Sequence, residues 1–177
     1  MCEAIHGSGA EVSEVNVWWN ANGGYRSGTV GQFDGGHVAR YHTNLAAEFY
    51  VLSCLHRIGL DAHLTLGNRK GVDIVVLRDD GDAATVEVKG LAGKYEWPAG
   101  NLGSHHPEKH FVVLVTFEGR IDDGDMPPPR CWIVPFADIE PFMRHYNTRT
   151  NVSRSELLRE GSKYEDAWRL IAGEEAR

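Results

Sequence analysis

The chain has 177 residues, 42% of them hydrophobic, enough for one domain with a real core and too few for two comfortable ones. Its net charge of −7 weighs against a nucleic-acid binder that relies on a broadly basic surface. No apolar run approaches the length of a membrane span, Met1 to His6 lack the basic-then-apolar order of a leader, and Cys2, Cys54 and Cys131 are too scattered for a disulfide framework or zinc cluster, so a cytoplasmic protein without membrane association is expected.

Residues 1–42 form the first region. Val15 to Trp19 has the β-branched and aromatic content of a short strand, and Asn22-Gly23-Gly24 with the glycines at 28, 31, 35 and 36 punctuates the chain after it. The region reads as a glycine-rich arm, a small sheet, or an element exchanged with a second subunit to give a homodimer. No glycine pattern here ends in Gly-Lys-Ser or Gly-Lys-Thr, so phosphate-loop chemistry is not indicated.

Residues 43–177 read as the main domain. A helix is expected from a cap at Thr43 or Asn44 to a stop at Gly59, with Val51, Leu52, Leu55 and Ile58 as its buried stripe. Glu48 lies near the start of that stripe, where an isolated carboxylate is costly unless a cation or a donor meets it. Strands follow at Asp61 to Leu66, Gly71 to Leu77 and around Val86-Glu87-Val88-Lys89, the last two joined by a hairpin. A three-residue turn, Asp79-Asp80-Gly81 with Gly81 left-handed, pairs Arg78 with Asp82 and sets Asp73 opposite Glu87. A two-residue turn would set Asp73 against Val88 on the other face. The three-residue loop, or a bulge with the same effect, is expected, with Lys89 following Glu87 on its face and Val86 and Val88 on the other.

Beyond this core, Gly90 to Pro107 is a glycine-rich loop carrying Trp97, Asn101, Ser104, His105 and His106, placed to contact substrate. His105, His106 and His110 lack a metal-binding pattern and read as surface histidines, while Lys94 and Lys109 are available to phosphate. Phe111 to Phe117 and Cys131 to Val134 read as neighbouring buried strands, joined by an exposed acidic turn at Asp122 to Asp125 that lacks the calcium-loop spacing. A short helix with Ile139 and Phe142 and a final helix placing Leu157, Leu158, Tyr164, Ala167, Trp168 and Ile171 on the sheet complete an α/β sandwich. Between Arg144 and Lys163, five basic residues stand against Glu156 and Glu160, a mix able to touch a phosphate backbone.

Asp73, then a hairpin, then Glu87-Val88-Lys89, preceded by a helix bearing Glu48, resembles the core of the PD-(D/E)xK nuclease superfamily. Residues 43 to 90 carry the resemblance, and Val72 stands where the nominal motif has proline. It implies a restriction-endonuclease-like sandwich, a central mixed sheet of about five strands flanked by helices. It also implies that Asp73 and Glu87 bind Mg²⁺ (or Mn²⁺), that Glu48 joins the metal shell, and that Lys89 positions the attacking water. The residue types suit this chemistry, because magnesium takes carboxylate oxygens and a lysine stabilises developing negative charge.

The function expected is therefore a metal-dependent nuclease hydrolysing phosphodiester bonds in DNA. The alternative is a non-catalytic nucleic-acid-binding or protein-interaction module on the same fold, which the acidic balance favours.

Overall fold

The computed structural model describes residues 17–19, 25–27, 35–65, 71–78, 81–100, 102 and 108–173, with backbone alone for 17–19, 25–27 and 35–39. Contacts group the chain into two units, Met1–Val38 and Ala39–Arg177. In the first, strands β1 (Val17–Trp19) and β2 (Tyr25–Ser27) pair antiparallel, with Trp18 opposite Arg26.

Helix α1 runs Gly35–Arg57. It starts well before the expected cap, so Thr43 is a buried interior residue and Glu48 lies mid-helix. Nothing in His37 to His42 breaks a helix, and this decides the matter over a capping residue read from composition. The expected stop holds. Gly59 is left-handed at φ 86°, and Gly59 and Leu60 donate backbone hydrogen bonds to the carbonyls of His56 and Leu55. The buried stripe is Ala47, Val51, Cys54 and Leu55, whereas Ile58 is exposed because the chain is already turning away there.

The main sheet has five strands in the order β3 (Asp61–Leu64), β4 (Ile74–Leu77), β5 (Ala83–Leu91), β7 (His110–Thr116) and β8 (Arg130–Pro135). Every neighbour is antiparallel except β5 and β7, so the protein is α/β with a mixed sheet. One face packs Val86, Val88, Val113, Val115 and Ile133 against Ala47, Val51 and Leu55 of α1. Gly90 makes that approach close: a Cβ there would lie 2.8 Å from the Thr43 carbonyl oxygen and 3.0 Å from the Ala47 Cβ.

The other face packs Val112, Leu114, Trp132 and Val134 against a small sheet that composition did not announce. It joins β6 (Trp97–Pro98), β10 (Thr150–Val152) and β9 (Met143–His145). Trp97 is fully buried in this cluster, its Nε1 donating to the Val115 carbonyl at 2.9 Å. The expected short helix is a pair of 3-10 turns, Phe136–Asp138 and Glu140–Phe142.

The single final helix is instead α2 (Arg154–Glu160), a 3-10 turn at Ser162–Tyr164, and α3 (Arg169–Ala172). Ser153 caps α2, and Gly161 packs against Leu157 where no side chain fits, which ends it. Leu158, on the outer side of α2, is exposed, while Leu157, Tyr164 and Ile171 reach the core. No helix among the described residues is long and apolar enough to cross a membrane.

Candidate functional site

The turn decides the site. Arg78 and Asp82 pair through Arg78 N to Asp82 O at 2.8 Å, and Gly81 is left-handed at φ 79°. Ile74, the first residue of β4, lies opposite Val86, the register that the three-residue turn requires. At Asp73 the regular ladder ends: its N–H donates to the Val86 carbonyl at 2.8 Å, and its Oδ2 accepts the Val88 N–H at 2.7 Å. A side-chain oxygen thus replaces a backbone carbonyl and locks the carboxylate between the two strands. Thr65 supports the same stretch, its N–H donating to Asp73 O and its hydroxyl to Val72 O.

Glu87 lies on the sheet face opposite α1 and is 2% exposed. Its Oε1 pairs with Lys89 Nζ at 2.5 Å, and its Oε2, which makes no hydrogen bond among the described residues, faces His110 Nε2 at 3.8 Å. The parallel β5–β7 pairing produces this contact by placing Thr85 opposite His110. Thr85 Oγ1 and His110 Nδ1 share a 2.8 Å hydrogen bond, and the His110 ring stands edge-on to Phe136.

His110 is therefore no surface histidine. It is buried beside the candidate centre, a placement that only the apolar run Phe111 to Val115 hinted at. His105 and His106 lie outside the described residues.

The charges follow from this packing. Burial raises the Asp73 carboxyl above its ordinary range, the Val88 N–H opposes that, and Glu87 adds to it. Burial likewise raises Glu48, with Asp73 as the second cause, and both residues line a cleft of about 420 Å³ between α1 and the strand ends. Burial alone would raise Glu87 too, but His110 and Lys89 together pull it below the usual carboxylate range. The structure thus brings Asp73, Glu87 and Lys89 together, with Glu48 in electrostatic reach of Asp73 from the helix side.

No family model matches this chain, and no curated protein or solved structure matches it.

Among the described residues no three His, Cys, Asp or Glu side chains form a group that could hold a metal ion. The donor chemistry nevertheless suits a hard divalent cation. Two of the carboxyls are raised by burial and by neighbouring carboxylates, and a buried Glu87 oxygen has no hydrogen bond among the described residues. Magnesium commonly takes only one or two protein carboxylates, a number that Asp73 and Glu87 supply.

The expected basic segment is mostly neutralised within the molecule. Arg144 and Arg159 both pair with buried Glu156, Arg154 grips both oxygens of Glu118 at 2.8 Å, and Arg149 lies over the Tyr146 ring. Lys109 pairs with Asp82, so it is not simply available to phosphate. The reason in each ion pair is that a desolvated or half-buried carboxylate claims the cation.

Proposed function

We propose that this protein is a metal-dependent nuclease with a restriction-endonuclease-like fold, hydrolysing phosphodiester bonds in DNA. One observation carries the reading. Asp73 is bonded to the Val86 carbonyl and the Val88 N–H, the residues on either side of Glu87, at the open end of a hairpin, and Lys89 pairs with Glu87. A strand with Glu87 and Lys89 merely facing water would expose them, whereas Glu87 is 2% exposed and Lys89 nearly buried.

Asp73 and Glu87 would hold Mg²⁺ (or Mn²⁺), and Glu48, which shares the α1-side cleft with Asp73 and not with Glu87, would extend the shell only through Asp73. When bound, the ion neutralises phosphate charge and makes a water molecule acidic enough to attack. Asp73 keeps its orientation through the Val88 N–H, so its other oxygen is directed without loss of side-chain freedom at the moment of binding. Lys89 Nζ donates toward the nucleophile or a phosphoryl oxygen, offsetting the negative charge that develops there. Glu87 orients that ammonium in the resting protein.

A second reading, a non-catalytic nucleic-acid-binding or protein-interaction module, is favoured by the internally paired arginines and by the absence of a three-ligand group among the described residues. Calorimetric titration of Mg²⁺ and Mn²⁺ into the protein and into Asp73→Ala, with cleavage assays on DNA and RNA, separates the two. The nuclease reading expects metal binding lost in the variant and metal-dependent cleavage by the parent alone. Failure of the parent to bind either ion at millimolar concentration in the presence of nucleic acid, with no cleavage, sinks it.

A further inference from the structure

Thr85, Glu87 and Lys89 follow one another along one face of β5, because side chains on a strand alternate with period two. The parallel register adds His110 to this row by setting it beside Thr85, and the Thr85 N–H donates to the Lys109 carbonyl at 3.0 Å, which fastens the two strands there. Side-chain exposure rises along the row, from 0% at His110 through 2% at Glu87 to 13% at Lys89. Glu87 thus presents Oε2 to the closed side, toward His110, and Oε1 to the more open side, toward Lys89.

These neighbours fix where the His110 proton sits. An ionised carboxylate only accepts, so Nε2, the ring nitrogen that faces it, carries a proton. In the neutral imidazole Nδ1 is then an acceptor, and its 2.8 Å contact is a hydrogen bond donated by the Thr85 hydroxyl. Phe136 packs edge-on against the same ring, with 5.6 Å between centroids.

Lys89 cannot serve Glu87 and an attacking water or phosphoryl oxygen equally, and a buried carboxylate left by its cation is costly. His110 Nε2 stands 3.8 Å from Oε2, too far for a hydrogen bond while Lys89 holds the other oxygen, and within reach after a small turn of the carboxylate. We propose that His110, its tautomer set by Thr85, is a positioning residue for Glu87, taking hold of the carboxylate from the closed side as Lys89 turns to substrate. Carboxylates that ligate metals are themselves commonly hydrogen-bonded in this way. The release of Lys89 rests on the nuclease reading, whereas the tautomer and the approach to Glu87 do not.

One part of the test needs neither metal nor nucleic acid. Nitrogen NMR spectra of the histidine rings in the full chain, at a single neutral pH, should show His110 protonated at Nε2 and unprotonated at Nδ1. Thr85→Val should lose this single tautomer and Thr85→Ser should keep it. In Lys89→Met the Nε2 proton should move downfield as its bond to Glu87 shortens. In cleavage assays with Mg²⁺, Thr85→Val is expected to lower kcat about tenfold with KM for DNA unchanged, and Thr85→Ser to restore it.

A proton on Nδ1 in the parent, a His110 signal indifferent to Lys89→Met, or full kcat in Thr85→Val overturns the assignment. The expected spectra in a parent that cleaves nothing uphold the hold of His110 on Glu87 and remove the nuclease.

Discussion

A Cβ on Gly90 would sit 2.8 Å from the carbonyl oxygen of Thr43, so the distance between α1 and strand β5 is set by a missing side chain. Gly90→Ala must push back helix backbone rather than a flexible side-chain tip. It is expected to cost about 1–3 kcal/mol, the range for overpacking a tight interior. Urea unfolding reads this directly, and an unchanged midpoint would mean that helix and sheet are not in contact there.

Asp73 is a stability cost with a pH signature. Burial and Glu87 raise its carboxyl, so the folded chain binds that proton more tightly than the unfolded chain. Stability from this group is present at low pH and is lost as pH rises through the folded value. Asp73→Asn keeps an oxygen for the Val88 N–H and removes the charge, so it should raise Tm at neutral pH and abolish cleavage. Below the ordinary carboxylate range the two proteins should melt together. A lower Tm at neutral pH would contradict the assigned environment.

The Glu87–Lys89 pair is buried, and removing one partner strands the other. Lys89→Met should destabilise by about 3–5 kcal/mol, and the double variant Lys89→Met/Glu87→Gln by less than the sum of the single changes. Denaturant midpoints for the four proteins of the cycle measure this coupling. Strict additivity would show that the two side chains do not interact.

His110 should govern the acid limb of stability. Glu87 is held low by His110 and Lys89 against the effect of burial, so its contribution is complete above the unfolded value and disappears as pH falls through the folded one. In His110→Phe the Glu87 carboxyl loses one of the two groups that lower it. The acid unfolding midpoint should move to higher pH, whereas Thr85→Val should move it less. Unshifted acid unfolding in His110→Phe would remove His110 from the site.

Metal binding has a signature independent of turnover. Saturating Mg²⁺ should raise Tm by mass action, about 2.7 kcal/mol at a hundred times Kd. The rise should vanish in Asp73→Ala and persist largely in a folded Lys89 variant. Thermal scans across a magnesium series, with EDTA as the baseline, settle the point. An equal rise in Asp73→Ala would place the ion elsewhere.

Local rules were enough for much of this protein. The stop at Gly59, the left-handed Gly81 and the hairpin register that sets Ile74 opposite Val86 follow from turn chemistry and period-two alternation, which act over a few residues. Tertiary structure decided the rest, because the partners are far apart in the chain. His110 meets Glu87 only because β5 and β7 run parallel, and Glu156 meets Arg144 only once β9 and α2 pack together. Composition also placed the start of α1 too late, since a capping residue is only an opportunity and the packing of Thr43 against Gly90 makes it an interior one. The sequence thus determined which side chains share a strand face, and only the fold decided which charges they would meet when removed from water.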